Sequence, residues 1–371
     1  MDFQKLARDE LLEVRRYIPG KPMEELQREK GLSEIIKLAS NENPHGPGPR
    51  VLEVLDKGIR ELNRYPDDSA FYLRNALANH LEISQTRLFI ANGSVEVLYL
   101  LADLFVKEGE ELIYATPSFV VYKIVSQLSL GRGLEIPVNS DFREDLEAMA
   151  AAVTDRTKLV FICNPNNPLG TYNHEKALRH FLDAVPENCL VVLDEAYYEY
   201  VEAPDYPQAI EWLERYPNLV LLRTFSKIYS LAGLRIGYSI SHPNLVELLE
   251  RGRPPFNVNS LSQAAALAAL RDPERLRWIQ KENSLGRRYL SKKLSEMGCR
   301  VLPSQTNFLM AFLPIDSQGV YDGLLDRGVI VRPMGNFGTE LNAVRISVGL
   351  ESENHKLIHA LEELFPKKTR S

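Results

Sequence analysis

The chain has 371 residues, 44% of them hydrophobic and 25% charged, with a formal net charge of −6. At roughly 150 residues per domain the length predicts about two domains. The acidic balance argues against an extended nucleic-acid surface, yet leaves room for a local arginine cluster around a phosphorylated ligand.

The opening MDFQKLARDELLEVRR has no apolar core, so no secretory leader is expected, and no apolar run approaches the ~18 residues of a membrane span. The Pro-, Gly- and Asn-rich SNENPHGPGPR (40–50) predicts an arm and loop running into the large domain. Short apolar runs then follow: RLFIA (87–91), ELIYA (111–115), KLVFIC (158–163), CLVVLDEA (189–196), NLVLLRT (218–224) and LRIGYSI (234–240). Their near-continuous apolar character predicts strands buried on both faces. Helix-period segments lie between them at 94–107, 118–130, 142–153, 173–184 and 242–250. This alternation predicts an α/β fold with a mostly parallel sheet flanked by helices. The pattern changes near 270, where a charged amphipathic segment, 273–297, reads as a connecting helix. TNFLMAFL (306–313), a helix-like 316–327, GVIVRPM (328–334), AVRISVG (343–349) and a last helix at 351–365 predict a smaller α+β domain. The expected division is an N-terminal arm leading into the smaller domain (1–45), a large domain (46–272) and a small domain (273–371). The cysteines, Cys163, Cys189 and Cys299, are odd in number and far apart. They suit neither a disulfide framework nor a metal-ligand spacing, and a reducing cytoplasm is expected.

Ligands of an open parallel sheet gather at the carboxyl ends of its strands. Five successive strand ends carry polar or turn-forming residues: ANGS (91–94), TPSFVVY (116–122), NPNNPLG (164–170), DEAYYEY (194–200) and TFSK (224–227). Each has a bland alternative. Gly93 and Ser94 are also a plain helix start, NPNNPLG a rigid turn, DEAYYEY an acidic helix start, Phe119 a core residue and Lys227 a solvated surface lysine. No GxGxxG occurs, which disfavours a dinucleotide. Asp194 ends an apolar strand, where an unpartnered carboxylate is costly to bury, and Tyr197 follows it by three. Lys227 stands at a strand end beside Thr224 and Ser226, with Arg235 eight residues on. A desolvated lysine with a lowered pKa is nucleophilic enough to form a Schiff base. A cofactor with an aldehyde, a phosphate and a ring nitrogen would use all these groups, and pyridoxal phosphate is that cofactor.

With these residues placed, the sequence resembles the fold-type I pyridoxal-phosphate aminotransferases and, more narrowly, the histidinol-phosphate (imidazole acetol-phosphate) transaminases. The likeness runs through YIPGKPMEEL (17–26), KLASNENPHGP (37–47), RYPD (64–67), NGSVE (92–96), NPNNPLG, LDEAYYEYV (193–201), RTFSKIYSLAGLRIGY (223–238), PSQTNF (303–308) and VRISVG (344–349). It implies a large domain with a seven-stranded type of sheet, plus the smaller α+β domain. It implies that Lys227 holds the cofactor and then acts as the base. Asp194 would pair with the ring nitrogen, Asn167 and Tyr197 with the ring oxygen, and Phe119 would stack on the ring. The backbone at Gly93, Ser94 and Val95, the hydroxyls of Thr224 and Ser226, and Arg235 would bind the phosphate. Tyr65 would reach the phosphate of a neighbouring subunit, so a homodimer is implied.

The same resemblance supplies Arg332, Arg345 and Tyr17 for substrate. One pocket must hold a phosphate monoester in one half-reaction and the α-carboxylate of glutamate in the other. One bidentate arginine suits a carboxylate, and a second helps with the greater charge of a phosphate. The alternative for Arg332 is a solvated strand-end charge. Two positions depart from the family: Val95 stands where Asp is usual, and Leu169 where Thr is usual. The implied activity is transamination of histidinol phosphate with 2-oxoglutarate. Transamination of aromatic amino acids, decarboxylation of a phosphothreonine, and a non-catalytic cofactor-binding role are the rival readings.

Overall fold

The computed structural model describes residues 1–8, 11, 12, 14, 16, 20–337 and 341–365. Its strands in chain order are β1 (Ile36–Lys37), β2 (Leu88–Ala91), β3 (Glu111–Thr116), β4 (Arg132–Pro137), β5 (Thr157–Cys163), β6 (Leu190–Asp194), β7 (Leu219–Thr224), β8 (Gly237–Ile240), β9 (Arg300–Val301), β10 (Phe308–Phe312), β11 (Val329–Ile330), β12 (Arg332–Pro333) and β13 (Ala343–Ser347). Seven of them form one sheet in the order β2-β8-β7-β6-β5-β3-β4. β8 runs antiparallel to both neighbours, and the other six share one direction. The expected mostly parallel sheet is therefore present.

Alternating side chains of the central strands feed two separate cores. In β5, Leu159, Phe161 and Cys163 join one layer with Val97, Leu98, Tyr122 and Leu249 from the helices Ser94–Phe105, Val120–Leu128 and Pro243–Gly252. Val160 and Ile162 join the other with Leu77, Phe181 and Ala266, from the helices Phe71–Leu81, Glu175–Ala184 and Ser260–Leu270. Full burial of each large apolar side chain is worth about 1.5–3 kcal/mol, which is why these strands read as unbroken apolar runs.

The C-terminal part has its own four-stranded antiparallel sheet, ordered β12-β13-β10-β9. It packs on the long helix Pro273–Glu296 and on the helices Ser317–Leu325 and Glu351–Leu364 through Leu290, Leu294, Leu309, Ile346 and Leu361. β1 pairs in parallel with β11, Ile36 opposite Val329, so the chain before the large sheet is stitched to this part.

Several elements differ from expectation. β4 was not expected: its residues are all exposed or half-buried at the sheet edge, so no apolar run marks it. The helices Pro49–Gly58, Phe71–Leu81 and Ser260–Leu270 were not expected either. LRIGYSI forms a strand only from Gly237, because Ala232–Leu234 is a 3-10 turn and Arg235 takes a left-handed φ of 56°. GVIVRPM splits into β11 and β12, which belong to different sheets. Among the described residues no helix is long and apolar enough to cross a membrane.

Candidate active site

The carboxyl ends of β2, β3, β5, β6 and β7 share one edge of the large sheet, and the expected site residues follow them. Asp194 closes β6 and is 3% exposed. Its Oδ2 accepts from the Tyr122 hydroxyl at 2.8 Å, and its Oδ1 accepts from the Ala196 N–H at 3.2 Å. Burial pushes its carboxyl up to about 6, against the pull of those donors. A buried acid so placed is ready for a cationic partner.

Lys227 sits in the turn after β7, half-buried, with its Nζ 3.4 Å from the Asn41 carbonyl oxygen. Burial of the ammonium, and then the charges of Arg345 and Arg235, bring its pKa down to about 8, while Glu42 and Asp194 act the other way. It is the amine of this edge whose neutral, nucleophilic form is within reach near neutral pH. Its Nζ lies 5.5 Å from the centre of the Tyr197 ring. Tyr197 is buried, packs edge-on against Phe308, and its hydroxyl accepts from Asn41 Nδ2 at 2.9 Å. Burial pushes the Tyr197 phenol well up.

The anion end is built around a missing side chain. Gly93 has φ +77°, and a Cβ there would lie 2.6 Å from Arg235 Nη2. It caps the helix Ser94–Phe105, whose first N–H groups have no intrahelical acceptors and favour an anion. Gly237, at the start of β8, likewise lets the Ser94 N–H approach, since a Cβ there would lie 2.5 Å from that nitrogen. Thr224 Oγ1 accepts from the Ser226 N–H at 3.1 Å, fixing the turn before Lys227.

A cavity of about 140 Å³ is lined by Phe119, Asn167, Lys227, Arg332 and Arg345, together with residues 39–41. Arg332 and Arg345 are register partners on β12 and β13 and are 4% and 6% exposed. Arg332 is therefore not a solvated strand-end charge. Arg345 donates to Asn167 Oδ1 and to the Ala39 carbonyl, both at 2.6 Å, so it is oriented and ties the smaller sheet to the NPNNPLG turn. Phe119 precedes the helix Val120–Leu128 and meets Tyr122 edge-on at 5.6 Å.

Tyr65 lies apart. It is 83% exposed and stacks on Phe256. Tyr17 falls outside the described residues. Val95 follows Ser94 in the helix start and, like any residue but proline, keeps its backbone N–H. Leu169 is fully buried against Leu302, Met310 and Met334. Its apolar side chain thus joins the large-sheet turn to the C-terminal part.

Three contributors were missed. Asn41 takes φ 55° and touches both parts of the chain: its N–H donates to Ser347 Oγ, its carbonyl accepts from Lys227 and Asn307, and its side chain reaches Tyr197. An asparagine in a Gly/Pro-rich loop is the residue type that tolerates that backbone. Tyr122 lies three residues after Phe119, on the same helix face. The buried Glu144 accepts from Ser118 Oγ and Asn166 Nδ2, each at 3.0 Å, and from the Cys163 N–H, so one carboxylate fixes the turns carrying Phe119 and Asn167.

These residues fit a planar cofactor with an aldehyde, a ring nitrogen and a phosphate. There is an activated amine at one end, a buried acid, and a glycine-lined anion cradle backed by an arginine.

Comparison with known proteins agrees with that chemistry. The family model "Aminotransferase class I and II" matches residues 33–361. The histidinol-phosphate aminotransferase of Moorella thermoacetica is 44% identical over 360 residues, covering 97% of this chain and 93% of that protein. Histidinol-phosphate aminotransferase 1 of Nitrosococcus oceani is 46% identical, covering 98% of each. The crystal structure of histidinol-phosphate aminotransferase from Sinorhizobium meliloti in complex with pyridoxal-5'-phosphate superposes with a TM-score of 0.88 at 30% identity over 96% of each chain.

Proposed function

We propose, from the premise that this chain belongs to the class I and II aminotransferase family, that it transfers the amino group of L-histidinol phosphate to 2-oxoglutarate with pyridoxal phosphate bound. The products are imidazole acetol phosphate and L-glutamate, in a cytoplasmic step of histidine biosynthesis. The observation that carries this reading is the pair of buried arginines, Arg332 and Arg345, side by side in the cavity that Lys227 also lines. Two guanidinium groups suit a phosphate monoester, and one of them suffices for the carboxylate of glutamate.

Bound pyridoxal phosphate supplies an electron sink for the charge left when the substrate Cα loses its proton. Lys227 would hold it covalently, Asp194 would keep the proton on its ring nitrogen, and Asn167 and Tyr197 would donate to its ring oxygen. Phe119 would cover the ring. Gly93, Ser94, Val95, Thr224, Ser226 and Arg235 would bind the phosphate. Lys227 Nζ, with a pKa brought down to about 8, is suited both to take the proton from Cα and to return it in the second half-reaction. Arg332 and Arg345, with Tyr17 from the arm, would orient the donor so that this Cα–H faces Lys227.

The reading divides the chain into an arm (1–45), a cofactor-binding domain (46–272) and a smaller domain (273–371), supported by the separate sheets. It also makes the working unit a homodimer, in which Tyr65 completes the phosphate site of the other subunit. The exposure of Tyr65 together with Leu52, Ile59, Leu62, Phe71 and Tyr72 supports that assignment.

The test is a comparison of kcat/KM for histidinol phosphate, tyrosine and phenylalanine with 2-oxoglutarate as acceptor. The phosphate ester is expected to lead by at least about tenfold. Equal use of tyrosine would overturn the substrate assignment. Release of CO₂ without need of an oxo acid would overturn the reaction class.

A further inference from the structure

A second cavity, of about 220 Å³ and open on one side, shares no lining residue with the one around Lys227. It lies between the long helix Pro273–Glu296, the start of the helix Glu351–Leu364 and residues 43–45 of the arm. Two carboxylates, Glu282 and Glu351, line it, and no lysine or arginine does among the described residues. His45 packs against Trp278 at 4.5 Å with the rings tilted by 59°, and burial keeps its imidazole pKa below the ordinary value, so it adds little positive charge at neutral pH. Tyr200 and Tyr289 supply aromatic surface. Apart from His45 and His355, the ionisable lining is thus acidic or phenolic, and aromatic rings of this kind attract a cation.

The inner wall carries a buried carboxamide. Asn307 is 2% exposed, and its Oδ1 has no hydrogen-bond partner in the structure. An unmatched buried acceptor is unfavourable, and a turn of the side chain that met a ligand N–H or O–H would relieve it. The Tyr200 hydroxyl lies against the same carboxamide. The other end of Asn307 leads to the active site: its Nδ2 donates to the Asn41 carbonyl at 3.0 Å, the same oxygen that receives Lys227 Nζ at 3.4 Å.

We propose that this cavity is a second ligand site for a small aromatic or imidazolyl amine in its cationic form, and that its occupancy is felt at Lys227 through Asn307 and Asn41. The space is below the ~300 Å³ typical of drug-sized pockets, so the ligand is a compact metabolite. The carboxylates select the charge, the tyrosines the ring, and Asn307 a donor group.

The test is calorimetric titration of the protein, purified with its cofactor, using N,N-dimethyltyramine, a tertiary amine that cannot condense with a carbonyl. One saturable site per chain is expected. Glu282→Gln, and separately Leu285→Arg at the half-open rim, should each weaken it at least about tenfold while transamination without the probe stays unchanged. Arg332→Gln, in the other cavity, should leave the Kd unchanged, and the anionic isostere para-hydroxyphenylpropanoate should not bind there. Saturating probe should change kcat/KM for the amine donor by about fivefold, the low end of ordinary coupling between sites. The proposal is overturned by no saturable binding up to about 10 mM, by a Kd indifferent to both rim and carboxylate variants, by a Kd that moves with Arg332→Gln, or by binding that leaves turnover unaltered. Retained transamination in Glu282→Gln and Leu285→Arg separates a failed proposal from a misfolded protein. It also keeps the outcome independent of which donor the enzyme prefers.

Discussion

Replacing Tyr122 by phenylalanine removes one hydroxyl and little else. The ring is fully buried and stacks on Phe161 at 5.0 Å with an interplanar angle of 8°, and a phenylalanine keeps that packing. What disappears is the 2.8 Å donor to Asp194 Oδ2. A hydrogen bond to an ionised group is worth about 1.5–3 kcal/mol, and this one favours the charged carboxylate. Its loss leaves the Ala196 N–H as the remaining named donor to Asp194. The carboxyl, already pushed up to about 6 by burial, then moves higher and is more protonated at neutral pH. On the proposed mechanism, a protonated Asp194 would no longer hold a positive ring nitrogen beside it. At about 1.4 kcal/mol per factor of ten, kcat at pH 7 should fall roughly tenfold. The acid limb of the kcat/KM profile should move upward by about one pH step, with a small drop in melting temperature from the lost bond. The assay is steady-state turnover from pH 5 to pH 9, run beside a melting curve. A profile that superposes on the parent's would refute the idea that this hydroxyl tunes Asp194.

Three further expectations follow from the same geometry. Lys227→Ala should cut turnover by roughly 10³-fold, the scale of a lost general base, and abolish the visible absorption of the covalently held cofactor while the folded secondary structure persists by circular dichroism. Gly93→Ala forces a Cβ into Arg235 at a φ of +77°; it should cost about 1–3 kcal/mol of stability and weaken cofactor binding, read by equilibrium dialysis. Asp194→Asn concerns the cofactor-free protein. The folded-state pKa of this acid is about 6 against 3.8 for the free side chain, so its contribution to stability is fully present below 3.8 and lost as pH rises through about 6. The asparagine variant should therefore withstand more urea than the parent at pH 7.5, by about 1–3 kcal/mol, and match it near pH 4. Equal midpoints at both pH values would contradict the assignment.

What could be read from the sequence follows the range of the forces involved. β5, β6 and β7 were legible because both faces are buried, so nearly every side chain is apolar. β4 was not, because an edge strand with half-exposed faces needs no such run. Lys227 stood out by local setting alone: hydroxyls before it, a strand behind it, Arg235 shortly after. The pairing of Arg332 with Arg345 comes from the register between β12 and β13, which no local pattern encodes, and only the family resemblance pointed to it. Asn41 shows the limit most clearly. Its partners Tyr197, Lys227, Asn307 and Ser347 are 156 to 306 residues away, so its part is set by the closed tertiary structure and by nothing in its neighbourhood.

The one reversed strand in the large sheet has a geometric consequence. Six strands run the full depth of the sheet and end at the functional rim, whereas β8 sets out from that rim. The stretch from residue 225 to 236 therefore never has to travel to the far side and back. It stays at the rim throughout, so one short connection carries both the Lys227 amine and the Arg235 guanidinium at that rim, where the proposed cofactor site needs them. Had β8 pointed the other way, those two charges would lie a whole strand length apart, and the anion cradle would need its cation from another segment altogether.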